Sequence, residues 1–209
     1  VASSNFTEDV RISFENLDRH SESYRKIRNT IRFILGNLNG WKFNKKVSYE
    51  KLPELEKYIL HRLWVTNHEV KKNFNEFNFS KAFQIILNFC NVELSAFFFD
   101  IRKDSLYCDN RNSLSVNATK TVMSILFENL IRWLSPLIPF TTEEAWQSWR
   151  EEIDADGVLS CHLLNNQELP SNWNNKKLQT NWKKILELRD AFLFFHEKIR
   201  NAKKIKSTM

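Results

Sequence analysis

The chain has 209 residues, enough for one large domain or two small ones. Hydrophobic residues make up 42% of it and aromatic residues 13%, which excludes an intrinsically disordered chain. The net charge of +6 favours contact with a polyanion such as nucleic acid or a membrane surface, although a soluble protein with a basic tail is an equally good interpretation.

The sequence lacks the motifs that are typical of several functional classes. The three cysteines are far apart and odd in number, which argues against a disulfide framework or a zinc site and is typical of the reducing cytoplasm. No apolar run approaches the ~20 residues of a membrane span, and no Gly-rich phosphate loop, nucleophile elbow or H-E-x-x-H helix is present. We therefore expect no membrane partner and no catalytic, cofactor or metal site. The start Val1-Ala2-Ser3-Ser4 has neither an initiator Met nor a signal peptide, so we expect a piece of a longer protein.

The first helical segments follow from hydrophobic spacing. Only 3 Gly and 4 Pro in the whole chain predict long helices. The first segment runs from an N-cap at Ser13 to a stop at Gly40, and its apolar residues recur every three or four positions. The second begins near Pro53. A third, capped by Ser80 and extending to Phe99, is apolar nearly all round, so it is the predicted centre of the bundle.

Three further segments complete the predicted fold. The fourth runs from about Ser113 to Leu134, and the fifth opens with Thr141 and Glu144 as a capping box and ends near Arg150. An irregular stretch follows, with a brief extended piece at 158–162, before a sixth helix over about 175–204. The sequence thus predicts an all-α antiparallel helix bundle over residues 1–150, then a linker and C-terminal helical extension over 151–209.

A row of arginines on the first helix is the most distinctive feature. At about 100° per residue, Arg25, Arg28 and Arg32 fall within an arc of roughly 60°, and Asn29 lies beside Arg25. Planar guanidinium groups on one ridge suit a phosphate track, and the neighbouring amide suits a base-edge contact. The alternative is a solvated face on which the arginines pair with carboxylates of the same helix, Glu15, Asp18 or Glu22.

A second candidate follows the apolar third segment. Arg102 and Lys103 supply charge, and Tyr107 supplies a ring on which a base of a single-stranded RNA loop could stack. The alternative is an ordinary loop with its own salt pairs. Three tryptophans are better explained as core residues than as binding residues: Trp133, Trp146 and Trp149. The basic C-terminal run that includes Lys203, Lys204 and Lys206 suits either RNA backbone or a solvated terminus.

Several stretches resemble a known family. Residues 10–13 (VRIS), 24–30 (YRKIRNT) and 32–38 (RFILGNL) resemble the opening of the anticodon-binding domain of isoleucyl-tRNA synthetases, which are class I aminoacyl-tRNA synthetases. Residues 88–97 and 100–107 (DIRKDSLY) are similar to the same family, as is the tail over 200–207. Residues 133–146, which include WLSPLIPFT, are shared more loosely with the valine, leucine and methionine enzymes.

The resemblance covers nearly the whole chain and implies a function. It implies that this domain grips the anticodon arm of tRNA(Ile) through the first bundle helix and the segment after the third, with Arg25, Arg28, Arg32, Asn29, Arg102, Lys103 and Tyr107 as the tRNA-binding residues. It also implies that the parent protein, with its catalytic domain in cis, joins isoleucine to tRNA using ATP and Mg²⁺ and carries Zn²⁺ elsewhere. We expect a cytoplasmic monomer. Two alternatives remain open: a sister synthetase domain, valine being the nearest, and a helical protein-interaction module without an RNA role.

Overall fold

The computed structural model describes Ser4, Asp9, residues 12–153 and residues 158–201, with the backbone alone for 151–153 and 201. These residues form helices and short turns and contain no strand, so the predicted all-α class is confirmed. By its internal contacts the chain divides into two compact units, one ending at Trp173 and the other beginning at Asn174.

Helix α1 (Phe14–Leu38) begins and ends where the sequence predicts. The Ser13 hydroxyl accepts a hydrogen bond from the amide of Asn16 at 3.2 Å, which satisfies one of the free N–H groups of the first turn. The helix ends just before Gly40, whose φ of +67° lies in the left-handed region. Its buried apolar residues are three or four positions apart and form one stripe: Ile27, Ile31, Ile34 and Leu38.

Helix α2 (Glu54–Asn75) starts directly after a proline, as predicted, and a tight turn leads into helix α3 (Phe79–Asn88). The predicted cap of α3 at Ser80 was wrong. The side chain of Asn78 instead accepts a hydrogen bond from the amide of Lys81 at 3.4 Å. Asparagine caps a helix as well as serine does, and here it stands two residues earlier in the chain.

The helix that begins at α3 continues without a break to Cys108. Its middle is a π-helix (Phe89–Phe99), and its last turns are helix α4 (Asp100–Cys108). Residues 100–107 are therefore helical, and the alternative of an ordinary loop was wrong. Phe79–Cys108 is also the one helix in the described ranges that is long and apolar enough to cross a membrane. Half of its most apolar window is buried in the bundle, and this accounts for its apolar character.

Helix α5 (Leu114–Leu134), capped by Ser113 as predicted, lies at the centre of the bundle. The prediction that gave this place to the third segment was wrong, because α5 buries residues on all sides while Val92 of the π-helix is 55% exposed. Small polar residues interrupt the apolar pattern of α5, so its burial is not evident from the sequence. The hydroxyls of Thr121 and Ser124 donate to carbonyls of the preceding turn, at 2.7 and 2.8 Å, and so can be buried without unpaired polar groups.

Helix α6 (Pro139–Ile153) starts two residues before the predicted capping box, which was therefore wrong. Proline suits a first helical position because it has no N–H to leave unpaired. Thr141 therefore lies within the helix and not at its start. Its hydroxyl is hydrogen-bonded to the Tyr24 hydroxyl of α1 at 2.8 Å. Three tryptophans are core residues, as predicted: Trp133, Trp146 and Trp149.

Side-chain hydrogen bonds between helices show which ends lie together. Trp41, just past α1, donates to Asn117 in the first turn of α5 at 3.0 Å. The Tyr24–Thr141 bond places the other half of α1 beside the start of α6. Helices α1 and α5 are therefore antiparallel, as a bundle with this connectivity requires. We call the end that holds Trp41 and Asn117 the α5-start end.

The remainder of the first unit has short 3₁₀ turns at Cys161–Leu163 and Ser171–Trp173. The predicted extended piece at 158–162 was wrong, because its second half enters the first of these turns. The second unit holds helix α7 (Lys176–Asn201), which corresponds to the predicted sixth helix. The predicted basic run begins on α7 with Lys198 and Arg200, which are exposed, and its other members, Lys203, Lys204 and Lys206, lie outside the described residues. Positions 10 and 11 of the first family-like stretch also lie outside them.

Candidate nucleic-acid interface

Helix α1 presents the predicted arginine row at the surface of the bundle. The side chain of Arg25 is 67% exposed, Arg32 is exposed, and Arg28 is half-buried. Arg28 and Arg32 line a shallow groove of about 210 Å³ between α1 and α6, opposite Glu144 and beside Ser148. The stripe of isoleucines that the row flanks on α1 fixes this orientation by packing in the core.

Ion pairing explains only part of the arginine row. Arg25 pairs with Glu22 at 2.7 Å, and Arg19 pairs with Glu15 nearer the start of the helix. Both pairs are exposed, so each contributes no more than about 1 kcal/mol and can exchange for a phosphate. Within the described part of the chain, neither Arg28 nor Arg32 forms an ion pair. The alternative, in which the arginines pair with carboxylates of the same helix, therefore applies to Arg25 and not to the other two arginines.

An aromatic cleft of about 280 Å³ opens on the other side of the arginine row, between α1 and the long helix Phe79–Cys108. Asn29 lies at its edge, and Phe33 follows one turn later on the same side of α1. Phe33 stacks on Phe99 with ring centroids 4.7 Å apart, so one wall of the cleft is aromatic. The lining also includes Thr30, Ser95, Asp100 and Lys103.

Lys103 and Tyr107 extend this surface along α4. They are four residues apart and therefore face the same way on the helix. Lys103 pairs with Asp100 at 3.1 Å, and the hydrogen bond and charge of that carboxylate raise the lysine pKa, so the ammonium is retained. Tyr107 is 69% exposed, and its ring is open to a stacking partner. The structure thus brings Asn29 and Lys103 together at one cleft.

Arg102 lies apart from these residues and points into the bundle. Its guanidinium pairs at 2.6 Å with Glu56, whose side chain is fully buried, and Glu56 also accepts a hydrogen bond from Thr119 at 3.0 Å. This placement does not favour a direct RNA contact for Arg102, because the carboxylate would be left buried and unpaired. The position carries a signal in the sequence: Arg102 is four residues from both Phe98 and Leu106, on the inward edge of the helix.

One group of residues has the side chains of a metal site. The ligand atoms of Glu143, Cys161 and His162 all lie within 4.8 Å of one another. The Glu143 carboxylate already accepts hydrogen bonds from Gln147, Ser160 and the Cys161 amide, at 2.6 to 2.9 Å. Burial alone would raise the pKa of Glu143, but these bonds outweigh it and hold the pKa at about 2.

The geometry around Glu143 is that of a clamp between α6 and the following turn. Burial raises the pKa of Cys161 to about 11, and the hydrogen bond between its side chain and the Glu143 carboxylate acts in the same direction. The hydrogen bonds account for the Glu143 carboxylate, the Ser160 hydroxyl and the Cys161 amide. We assign Glu143 a structural role.

Comparison with known proteins identifies the family of the chain. A family described as "Anticodon-binding domain of tRNA ligase" matches residues 56–209. The chain belongs to that family.

Isoleucine–tRNA ligases are similar to the chain along its whole length. The isoleucine–tRNA ligase of Pelagibacter ubique is 40% identical over 213 residues, covering 100% of this chain and 23% of that protein. That of Agrobacterium fabrum is 41% identical over 212 residues, covering 100% of this chain and 21% of that protein. That of Zymomonas mobilis is 40% identical over 214 residues, covering 100% of this chain and 22% of that protein. The chain therefore spans about a fifth of the length of these relatives.

For an anticodon-binding domain, the geometry offers three kinds of contact at one surface. Exposed guanidiniums can bind phosphates, the amide of Asn29 can pair with a base edge, and the ring of Tyr107 can stack on a base. Reasoning from the sequence did not find the cleft residues Phe33, Ser95 and Phe99. Phe33 alone could have been found, because it lies four residues after Asn29 on the same helix.

Proposed function

We propose that this domain binds the anticodon arm of tRNA(Ile) as part of an isoleucine–tRNA ligase. The observation that carries the proposal is a pair of arginines on α1, exposed Arg32 and half-buried Arg28, which form no ion pair with the described residues. They lie beside an aromatic cleft lined by Asn29 and Phe33. An RNA loop offers phosphates and unstacked bases within a few ångströms of each other, and this surface offers a partner for each.

In this proposal the two sides of α1 bind different parts of the RNA. Arg28 and Arg32 hold the sugar–phosphate backbone, and Arg25 joins them when its exposed pair with Glu22 opens. Asn29 faces the cleft and can both donate to and accept from a base edge, which a phosphate contact cannot do. Sequence selectivity therefore belongs to the cleft, and affinity belongs largely to the arginines.

Lys103 and Tyr107 continue the interface on α4. The Lys103 ammonium neutralises a phosphate at the cleft edge, and the exposed Tyr107 ring stacks on a base that is splayed out of the loop. Arg102 has no contact role in this proposal, because its charge is already used by buried Glu56.

The parent protein in this proposal attaches isoleucine to tRNA(Ile). Its catalytic domain is joined in cis and uses ATP and Mg²⁺, and its Zn²⁺ lies outside this chain. We further propose that the protein works as a cytoplasmic monomer without a membrane partner. Anticodon contacts then favour the correct tRNA over competitors by differential binding.

The experiment measures the affinity of this chain for three transcripts of one tRNA(Ile), differing only in the anticodon: isoleucine, valine and an unrelated sequence. We expect the isoleucine anticodon to bind most tightly, with each mismatched base costing about 1–3 kcal/mol. Tighter binding of the valine anticodon would reassign the domain to a valine enzyme. Failure of all three to bind above the level of a non-tRNA hairpin would favour a protein-interaction module and overturn the proposal.

A further inference from the structure

A second basic cluster lies at the α5-start end of the bundle, away from the arginine row. Two loops meet there. The amide of Val47 donates to the Thr121 hydroxyl of α5 at 3.0 Å, so the loop after α1 is held against the first turns of α5. The Lys45 ammonium donates to the side chain of Asn112 at 2.8 Å, which joins this loop to the one that precedes α5.

Three cations are brought together by these contacts: Lys45, Arg111 and Lys120. Lys45 and Arg111 are exposed, and Lys120 is half-buried on α5. In the described ranges none of the three forms an ion pair. Burial lowers the pKa of Lys120, and the nearby positive charges of Arg111 and Lys45 lower it further, so both cations lie close enough to repel Lys120. The carboxylate of Asp109, in the same loop as Arg111, accepts a hydrogen bond from Ser105 instead.

Such a cluster is unfavourable unless an anion relieves it. Like charges held close together raise the free energy of the folded chain, and an anion bound between them removes this repulsion and gains attraction from each. The side chains here are two ammoniums and one guanidinium, which suit a phosphodiester oxygen. The first turn of α5 adds the positive end of a 21-residue helix.

The cluster also continues the proposed interface. Tyr107 lies on the last turn of α4, and the loop with Arg111 and Asn112 follows directly in the chain. An RNA strand with a base on Tyr107 would carry its next phosphates towards this loop. We propose that Lys45, Arg111 and Lys120 form a second phosphate-binding site, which holds the RNA backbone beyond the bases that the cleft and Tyr107 receive. This inference rests on the proposed function.

The test compares two variants that lose the same charge at opposite ends of the bundle. Lys45→Gln with Lys120→Gln removes two charges from the cluster. Lys72→Gln with Lys81→Gln removes two charges near the α2–α3 turn, at the other end. The affinity of each for the isoleucine transcript is measured from 50 to 300 mM salt, and circular dichroism and thermal melting confirm that both fold.

We expect the cluster variant to lower the slope of log affinity against log salt by about 1.4–1.8, and to bind roughly tenfold or more weakly at 0.1 M salt. The ratio between isoleucine and valine anticodons should stay the same, because phosphate contacts carry no sequence information. The control variant should keep the slope and affinity of the unaltered chain. If the cluster variant does not fold, Arg111→Gln, in an exposed loop, should lower the slope by about 0.7–0.9.

The outcomes separate this inference from the proposed function. If the unaltered chain binds tRNA and the cluster variant behaves as the control does, the second site is overturned and anticodon binding stands. If the cluster variant changes the anticodon preference, the residues read bases and the assignment to phosphate is overturned. If the unaltered chain does not bind tRNA, the proposed function fails and the second site fails with it.

Discussion

Replacing Arg102 with alanine tests whether this residue stabilises the bundle or contacts RNA. Its guanidinium lies 2.6 Å from the Glu56 carboxylate, and only 18% of the arginine side chain and none of the glutamate side chain is exposed. Arg102→Ala therefore leaves a buried carboxylate with Thr119 as its remaining described partner. Breaking such a pair from one side costs about 3–5 kcal/mol, because the desolvated charge is no longer compensated.

The expected loss is large enough to measure directly. For a chain of this length each kcal/mol corresponds to about 2–4 °C, so the melting temperature should fall by about 6–20 °C. Removing both charges should restore most of the stability. Arg102→Met with Glu56→Leu replaces the pair by apolar side chains, and the Nε of Arg102 has no hydrogen-bond partner among the described residues that would be lost.

The assay combines urea unfolding, followed by circular dichroism, with tRNA binding at a temperature where each variant is folded. We expect Arg102→Ala to be strongly destabilised and the Arg102→Met, Glu56→Leu double variant to bind tRNA about as well as the unaltered chain. A loss of stability below about 1 kcal/mol, or a double variant that is stable but binds tRNA tenfold more weakly, would refute the structural role.

Three further results are expected. Tyr107→Ala should weaken tRNA binding by about 1–3 kcal/mol and Tyr107→Phe should not, because the ring stacks; equal affinities of the two variants in filter binding would contradict this. The pKa of Glu143 is about 2, below its usual 4.5, so its stabilisation is complete above about pH 5 and is lost as the pH falls towards 2. Glu143→Gln should therefore show a smaller decrease in the free energy of unfolding between pH 6 and pH 3, and an unchanged decrease would argue against the clamp. Cys108 is exposed, whereas burial raises the pKa of Cys161 to about 11 and of Cys90 to about 12, so a thiol reagent at pH 8 should label Cys108 first by mass spectrometry.

Local signals in the sequence were sufficient to place most helix boundaries. Ser13 and Ser113 are caps because a hydroxyl can accept an N–H of the first turn, and this depends only on neighbouring residues. The exposed arginine row was equally predictable, since the isoleucine stripe on the same helix fixes its outward direction. These features depend only on a single helix and its periodicity, and both can be read from the sequence.

Features that depend on packing between helices were not predictable. The cleft needs Phe99 of the long helix to lie against Phe33 of α1, and no pattern in either helix specifies that contact. The π-helix adds a further difficulty. Its i→i+5 bonds put more residues in each turn, so an α-helical projection from α3 gives the wrong direction for Arg102. The central position of α5 was not predictable because Thr121 and Ser124 are polar but buried. Their hydrogen bonds to the preceding turn make this burial possible, and a hydropathy pattern does not show such bonds.

The most direct test of the central claim is the salt dependence of tRNA binding after the groove arginines are removed. Arg28→Ala with Arg32→Ala is compared with Lys72→Ala with Lys81→Ala, which loses the same charge near the α2–α3 turn. We expect the arginine variant to keep its fold, to bind at least tenfold more weakly at 0.1 M salt, and to lose about 1.4–1.8 from the slope of log affinity against log salt. A folded arginine variant whose affinity and slope equal those of the lysine variant would contradict the central claim.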